Sequence, residues 1–149
     1  MDHKIKAAEL FLDGYNCAQA VAVAFCDVTG LSESQAAKMA SSFGGGIGGL
    51  REVCGAVSGM MMVLGSLYGY DQPDNEQKKA LYARAQALAE SFRAQAGSLI
   101  CRDLLAHMPV FSNPTPETAA LYAKRPCVFM VMTAAELLDG FIAENPLEK

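Results

Sequence analysis

Apolar positions along the chain recur with a helical period, and no segment alternates as a strand would, so the pattern predicts an all-α protein. Residues 4–13 predict a first amphipathic helix with Ile5, Ala8, Phe11 and Leu12 inward, closed by Gly14. A second helix starts at once, because Asn16 is a strong N-cap and Gln19 completes a capping box, which puts Cys17 at the first helical position. Ser32 and Gln35 form another capping box, opening a helix that carries Ala36, Met39, Ala40 and Phe43 into a run of glycines. Further on, Asp71 to Asn75 reads as a turn. With Pro73 near its start, a long helix with Leu81, Ala85, Leu88 and Phe92 on one stripe runs to about Ala96, where Gly97 stops it. Ser98 caps a short helix with Cys101 at its third position. Residues 107–116, with three prolines, predict a surface loop, and a lone loop histidine, His107, is best read as solvated. Thr115 and Pro116 begin a helix to Lys124, and Pro126 starts the last helix, with Cys127 in its first turn. Val128, Val131, Met132, Ala135 and Leu138 face inward, and the helix stops before Asn145 and Pro146.

The stretch around which these elements are organised is FGGGIGGLREVCGAVSGMMMVLG, from Phe43 to Gly65. No charge occurs between Val53 and Tyr70, and Met60, Met61, Met62, Val63, Leu64 and Leu67 make the helix apolar nearly all round, which predicts a buried central helix. Gly55 and Gly59, and again Gly65 and Gly69, lie four residues apart and predict a face that other backbones can approach closely. Consecutive methionines point in different directions, so they read as core filling rather than a soft metal site. Gly44, Gly46 and Gly49 match G-x-G-x-x-G literally, but a helix precedes them where a dinucleotide fingerprint needs a strand. Gly44, Gly45, Gly46, Gly48 and Gly49 are instead candidates for a nest of N–H groups at an anion or cofactor. Their other role is to bring Cys54, in or near the first turn of the central helix, close to other backbones.

With 149 residues and 52% hydrophobic content, the chain predicts one domain over residues 1–149 with a core of ordinary size, built of seven or eight helices. A formal charge of −4 with scattered Lys and Arg excludes the basic footprint of a nucleic-acid binder. The amphipathic, partly acidic start MDHKIKAAELFLDG is unlike a secretory signal, and the glycines and serines of the central run argue against a membrane span, so a cytoplasmic protein is expected.

Five cysteines without a secretory leader point to thiols that are reduced, metal-bound or redox-active rather than to a disulfide framework. Cys17, Cys54, Cys101 and Cys127 all fall at helix starts, where unpartnered N–H groups favour a thiolate, and Arg51, Arg102 and Arg125 lie within three residues of the last three. On this ground at least one of the four should ionise below the ordinary thiol value of ~8.5, whereas burial without N–H donors would push the other way. Cys26, nine residues beyond Cys17, faces the opposite side of the predicted helix and reads as core packing. No C-x-x-C is present, so neither a zinc finger nor a thioredoxin-like motif is expected.

CGAVSG at Cys54 to Gly59, YNCAQAV around Cys17, FGGGIGG, CRDLL at Cys101 and the late Cys127 together resemble the redox-active C_GCAxxG_C_C family, whose CGAxxG motif the first of these matches. The resemblance implies four hallmark cysteines at Cys17, Cys54, Cys101 and Cys127, and leaves Cys26 out. A related domain occurs in a haem-carrying split-Soret cytochrome, yet no C-x-x-C-H haem attachment occurs here. Three functions follow as expectations. The first is thiol–disulfide or electron-transfer chemistry of an oxidoreductase type on those four cysteines. The second is an electron carrier whose four thiolates ligate an iron–sulfur cluster or another soft metal. The third is a non-catalytic helical partner-binding domain whose cysteines merely pack. The partner expected for the first two is a redox or electron-transfer protein, with a homo-oligomer left open.

Overall fold

The computed structural model describes residues 2–106 and 127–147. They form helices α1 (His3–Leu12), α2 (Cys17–Ala24), α3 (Cys26–Thr29), α4 (Glu33–Ala40), a 3-10 turn (Ser41–Phe43), α5 (Gly55–Tyr68), α6 (Asn75–Ala96), α7 (Cys101–Ala106) and α8 (Cys127–Glu144). The protein is all-α, and no strand occurs among the described residues, where an isolated antiparallel bridge joins Val53 to Ile100. No helix among them is long and apolar enough to cross a membrane. The loop expected over residues 107–116, with His107, and the helix expected from Thr115 to Lys124 lie outside the described residues.

Local chemistry places the helix ends. Asn16 and Gln19 form a reciprocal capping box at α2, and Ser32 and Gln35 form one at α4. Asp74, just after Pro73, caps α6 by accepting from the N–H groups of Glu76 and Gln77, and Gly97, at φ 101°, closes that helix in the left-handed conformation. α8 ends at Glu144, as the Asn145-Pro146 pair dictates.

α2 lies at the centre. All its residues but Gln19 are buried, because one face joins the main core of Phe25, Met60, Leu64, Phe92, Val131 and Leu138, and the other joins a second cluster with Ala36 and Ala40. Burial of each large side chain in that core contributes roughly 1.5–3 kcal/mol. Helix α5 crosses α2 where neither offers bulk. A Cβ on Gly59 would stand 2.7 Å from the Ala18 carbonyl oxygen, and one on Gly55 would stand 3.1 Å from Cys17 Cβ. Gly65 faces open space, so the close approach belongs to Gly55 and Gly59.

Several inward faces differ from the sequence-based expectation. In α1 the buried residues are His3 and Ala7, while Ile5 and Leu12 are exposed. His3 explains the rotation. Its ring stacks on Phe25 at 4.1 Å, Nδ1 lies 2.7 Å from Asp139 Oδ1, and Nε2 lies 3.0 Å from the Asp27 carboxylate, which ties α1 to α3 and α8. Met39 of α4 is also exposed, and Met132 of α8 is only half-buried. The chain breaks at Phe25, so Cys26 opens α3 instead of extending α2. Likewise α7 begins at Cys101 and not directly after Ser98, because Ile100 pairs with Val53 immediately before it.

The α2–α5 crossing gives two substitutions of opposite sign. Gly59→Ala should destabilise the protein by about 1–3 kcal/mol, since its methyl meets backbone that can yield only by moving α2. Gly65→Ala should stabilise it by about 0.5–1 kcal/mol by removing a flexible residue from a helix interior. Urea unfolding of the two variants checks this, and shifts of the same sign would refute the crossing as the cause.

Candidate functional site

Cys17 is the first residue of α2, Cys54 the N-cap of α5, Cys101 the first residue of α7 and Cys127 the first residue of α8. The fold brings these four thiols together. The Cys17 S–H donates to the Cys127 sulfur, and the charges of Cys127, Cys54 and Cys101 are all felt at Cys17. Cys26 stands apart, half-buried against the second cluster, with its Sγ 3.8 Å from the Ala22 carbonyl oxygen. No disulfide is formed among the described residues.

Three contacts hold the site. Gly55 on α2 carries Cys54 against Cys17. The bridge between Val53 and Ile100 is flanked by hydrogen bonds from Cys54 N–H to Leu99 C=O (2.8 Å) and from Cys101 N–H to Glu52 C=O (2.6 Å), so two of the cysteines flank one short antiparallel pairing. The third contact is Arg51, whose Nη1 donates to Cys101 Sγ at 3.8 Å.

The same pairing alters the electrostatics expected at Cys101. The first N–H groups of α7, those of Cys101 and Arg102, donate to the carbonyls of Glu52 and Arg51, so they are not aimed at a thiolate. A guanidinium takes their place. Arg102 itself forms an exposed ion pair with Glu52 at 3.6 Å, which is worth little.

Thiol acidity is governed by burial more than by helix dipoles. Cys17 is 7% exposed and its pKa is raised, first by its hydrogen bond with Cys127, then by burial, then by the charges of Cys127, Cys54 and Cys101. Burial pushes Cys54 up to about 11, against the opposing pull of the Ala56 and Val57 N–H groups, neither of which closes a side-chain cap hydrogen bond. For these two residues the acidity expected from their helix-start positions is therefore reversed. Cys26 is raised as well, by burial and then by Glu33, partly offset by Lys6.

The glycine loop owes its shape to a run of left-handed residues. Gly45, Gly46, Ile47, Gly48 and Gly49 all have φ between 54° and 84°, and Arg51 follows at 64°. Ile47 and Arg51 each carry about 1–2 kcal/mol of strain in this conformation, which the glycines avoid. The Gly48, Gly49, Arg51 and Glu52 N–H groups donate to Ser42, Gly44, Gly45 and Gly46 carbonyls inside the loop, so the amides of Gly48 and Gly49 are already engaged and not presented to an anion. A Cβ at Gly44 would strike the Asn16 side chain at 2.4 Å, so the loop clasps the cap of α2. Its evident work is positional, because it sets Arg51 beside Cys101.

Among the described residues no three of His, Cys, Asp and Glu stand as a group that could hold a metal ion.

The protein is thus a small all-α domain in which four cysteines at helix starts lie near enough for the other three to be felt at Cys17. The chain belongs to the C_GCAxxG_C_C family, whose profile, described as "Putative redox-active protein (C_GCAxxG_C_C)", matches residues 15–141. It is also similar to a protein of Archaeoglobus fulgidus named only as uncharacterized, with 28% identity over 143 residues that cover 90% of this chain and 89% of that one. No solved structure matches it.

Arg51 as a direct partner of Cys101, and the Val53–Ile100 bridge, were not predictable from pattern alone. Adjacency in sequence suggested Arg51 for Cys54 and Arg102 for Cys101, whereas the left-handed turn sends Arg51 across to Cys101.

The raised thiols set a pH dependence. Cys54 in the folded protein binds its proton up to about 11, against an ordinary value of 9.0, so between those limits the folded state holds more protons than the unfolded state. Stability contributed by this group is fully present below the lower value and is lost as pH rises through the upper one. Cys54 alone should account for a loss of about 2–3 kcal/mol across that window, with Cys17 adding to it. Urea midpoints on either side of it check the loss, and Cys54→Ala should make the curve shallower, leaving the part due to Cys17; an unchanged curve in the variant would remove Cys54 as a cause.

Proposed function

We propose that the protein performs two-electron thiol–disulfide redox chemistry through Cys17, Cys54, Cys101 and Cys127, in the reducing setting of the cytoplasm, with a redox partner protein as the other reactant. The observation that carries this reading is the direct hydrogen bond between the Cys17 and Cys127 thiols, with Cys54 and Cys101 near enough for their charges to be felt. Two thiols in hydrogen-bond contact are placed for a sulfur–sulfur bond to form with little movement of the chain. Arg51 supports the reading from the other side, since its guanidinium donates to the Cys101 sulfur. The family description agrees in naming redox activity.

Ligation of an iron–sulfur cluster or another soft metal by the same four cysteines is the second reading, favoured by their convergence from four helix starts. It is weaker, because no group of three ligands stands ready among the described residues. A passive packing role accounts poorly for four thiols gathered while the fifth lies elsewhere.

Mild oxidation of the reduced protein should yield an intramolecular disulfide among the four cysteines, detected by peptide mapping, with Cys26 still alkylatable. Metal analysis of anaerobically purified protein accompanies it. Stoichiometric iron with a cluster spectrum would replace the thiol–disulfide reading with the ligation reading.

A further inference from the structure

We propose that Cys127 is the thiol that meets the disulfide of a partner protein and that Cys17 is the thiol that resolves the resulting mixed disulfide. The assignment rests on the thiol–disulfide reading and deepens it.

Access separates the four thiols. Cys17, Cys54 and Cys101 are 7%, 4% and 6% exposed, while Cys127 is only half-buried. Thiol–disulfide exchange passes through a state in which the attacking sulfur, the attacked sulfur and the leaving sulfur are bonded in sequence, so the first attack needs a sulfur that a protein-sized disulfide can approach. Of the four, Cys127 meets that requirement best. The second attack is intramolecular and needs no opening to solvent. It needs a neighbour, and Cys17 is in hydrogen-bond contact with Cys127.

The fold favours the same division. Cys127 and Cys17 are the first residues of α8 and α2, two helices that pack together around the main core. Cys17 packs closely against α5, where a Cβ on Gly55 would stand 3.1 Å from its own Cβ. Cys101 is directed elsewhere, toward Arg51, and Cys54 is held by the pairing with Leu99.

The reaction balances as follows. The Cys127 thiol gives its proton to solvent and its sulfur attacks one sulfur of the partner disulfide. A bond forms between the two proteins, the partner's disulfide bond breaks, and the departing partner sulfur takes a proton. Cys17 then attacks the Cys127 sulfur, its proton passing to the second partner sulfur as that sulfur leaves. Cys17 and Cys127 end as a disulfide, the partner ends as two thiols, and two electrons have moved to the partner.

The test uses the full chain carrying Cys26→Ser, reduced and free of metal, with an aromatic disulfide reagent that releases a coloured thiolate as the stand-in for the partner. The parent should release two equivalents of thiolate in succession and keep no adduct, ending with a disulfide between Cys17 and Cys127. Cys17→Ser, with Cys17→Ala as a second variant should the hydroxyl disturb packing, should stop after one equivalent, with the adduct mapped to Cys127. Cys127→Ser should slow the first release by about tenfold or more, with circular dichroism reporting that α-helical structure is retained. An adduct on Cys54 or Cys101 in the Cys17 variants, or a parent disulfide that excludes Cys127, would overturn the assignment while leaving thiol exchange standing. A parent that releases thiolate no faster than any of its single variants would overturn both.

Discussion

The contact on which the rest depends is the absence of side chains at the crossing of α2 and α5. With Gly59 over the Ala18 carbonyl and Gly55 beside Cys17, the two helices approach to a separation that no larger residue permits. Because Cys54 directly precedes Gly55, this steric allowance sets where the second thiol stands relative to the first. The glycines of the preceding loop serve the same end. They let the chain reverse in a left-handed turn, clasp Asn16 at the cap of α2, and lead into α5 with Gly55 beside Cys17.

From that crossing the site extends by backbone pairing rather than by side-chain packing. The Val53–Ile100 bridge adds Cys101 through two main-chain hydrogen bonds, and α8 adds Cys127 by packing against α1 and α2. His3 reinforces the last of these. Buried between Asp27 and Asp139 and stacked on Phe25, it fastens α1 to α3 and α8 as a two-ended peg, each ring nitrogen facing a carboxylate oxygen.

The sequence carried the helix ends well, because capping is local chemistry. Asn16 with Gln19, Ser32 with Gln35, and Gly97 each act within a few residues and need no tertiary partner. It carried the identity of the clustered cysteines too, since their helix-start positions and the CGAxxG resemblance selected the same four. What it hid was dictated by distant partners. The central place of α2 escaped notice because CAQAVAVA is small-sided, though its lack of any charge from Asn16 to Cys26 was a usable signal. The inward face of α1 followed His3, whose two carboxylate partners lie 24 and 136 residues away. The break at Phe25 and the pairing just before Cys101 likewise answer to neighbours that periodicity does not contain.

Acidity at the site bears on the direction of electron flow. A low thiol pKa stabilises the reduced form as thiolate and makes a dithiol a poor reductant, whereas thiols that keep their protons gain nothing of the kind. Cys17 and Cys54 belong to the second sort, since burial and the neighbouring sulfurs oppose ionisation at both. Closing Cys17 into a disulfide relieves what is unfavourable there, because it removes an ionisable group from a site that resists charge and replaces it with a neutral apolar bond. Burial thus slows the encounter with a partner while making the oxidised state of the pair easier to reach. On the proposed thiol–disulfide reading, both tendencies would favour exchange with a docked disulfide over reaction with an oxidant in solution, and the half-buried Cys127 is where that disulfide would enter.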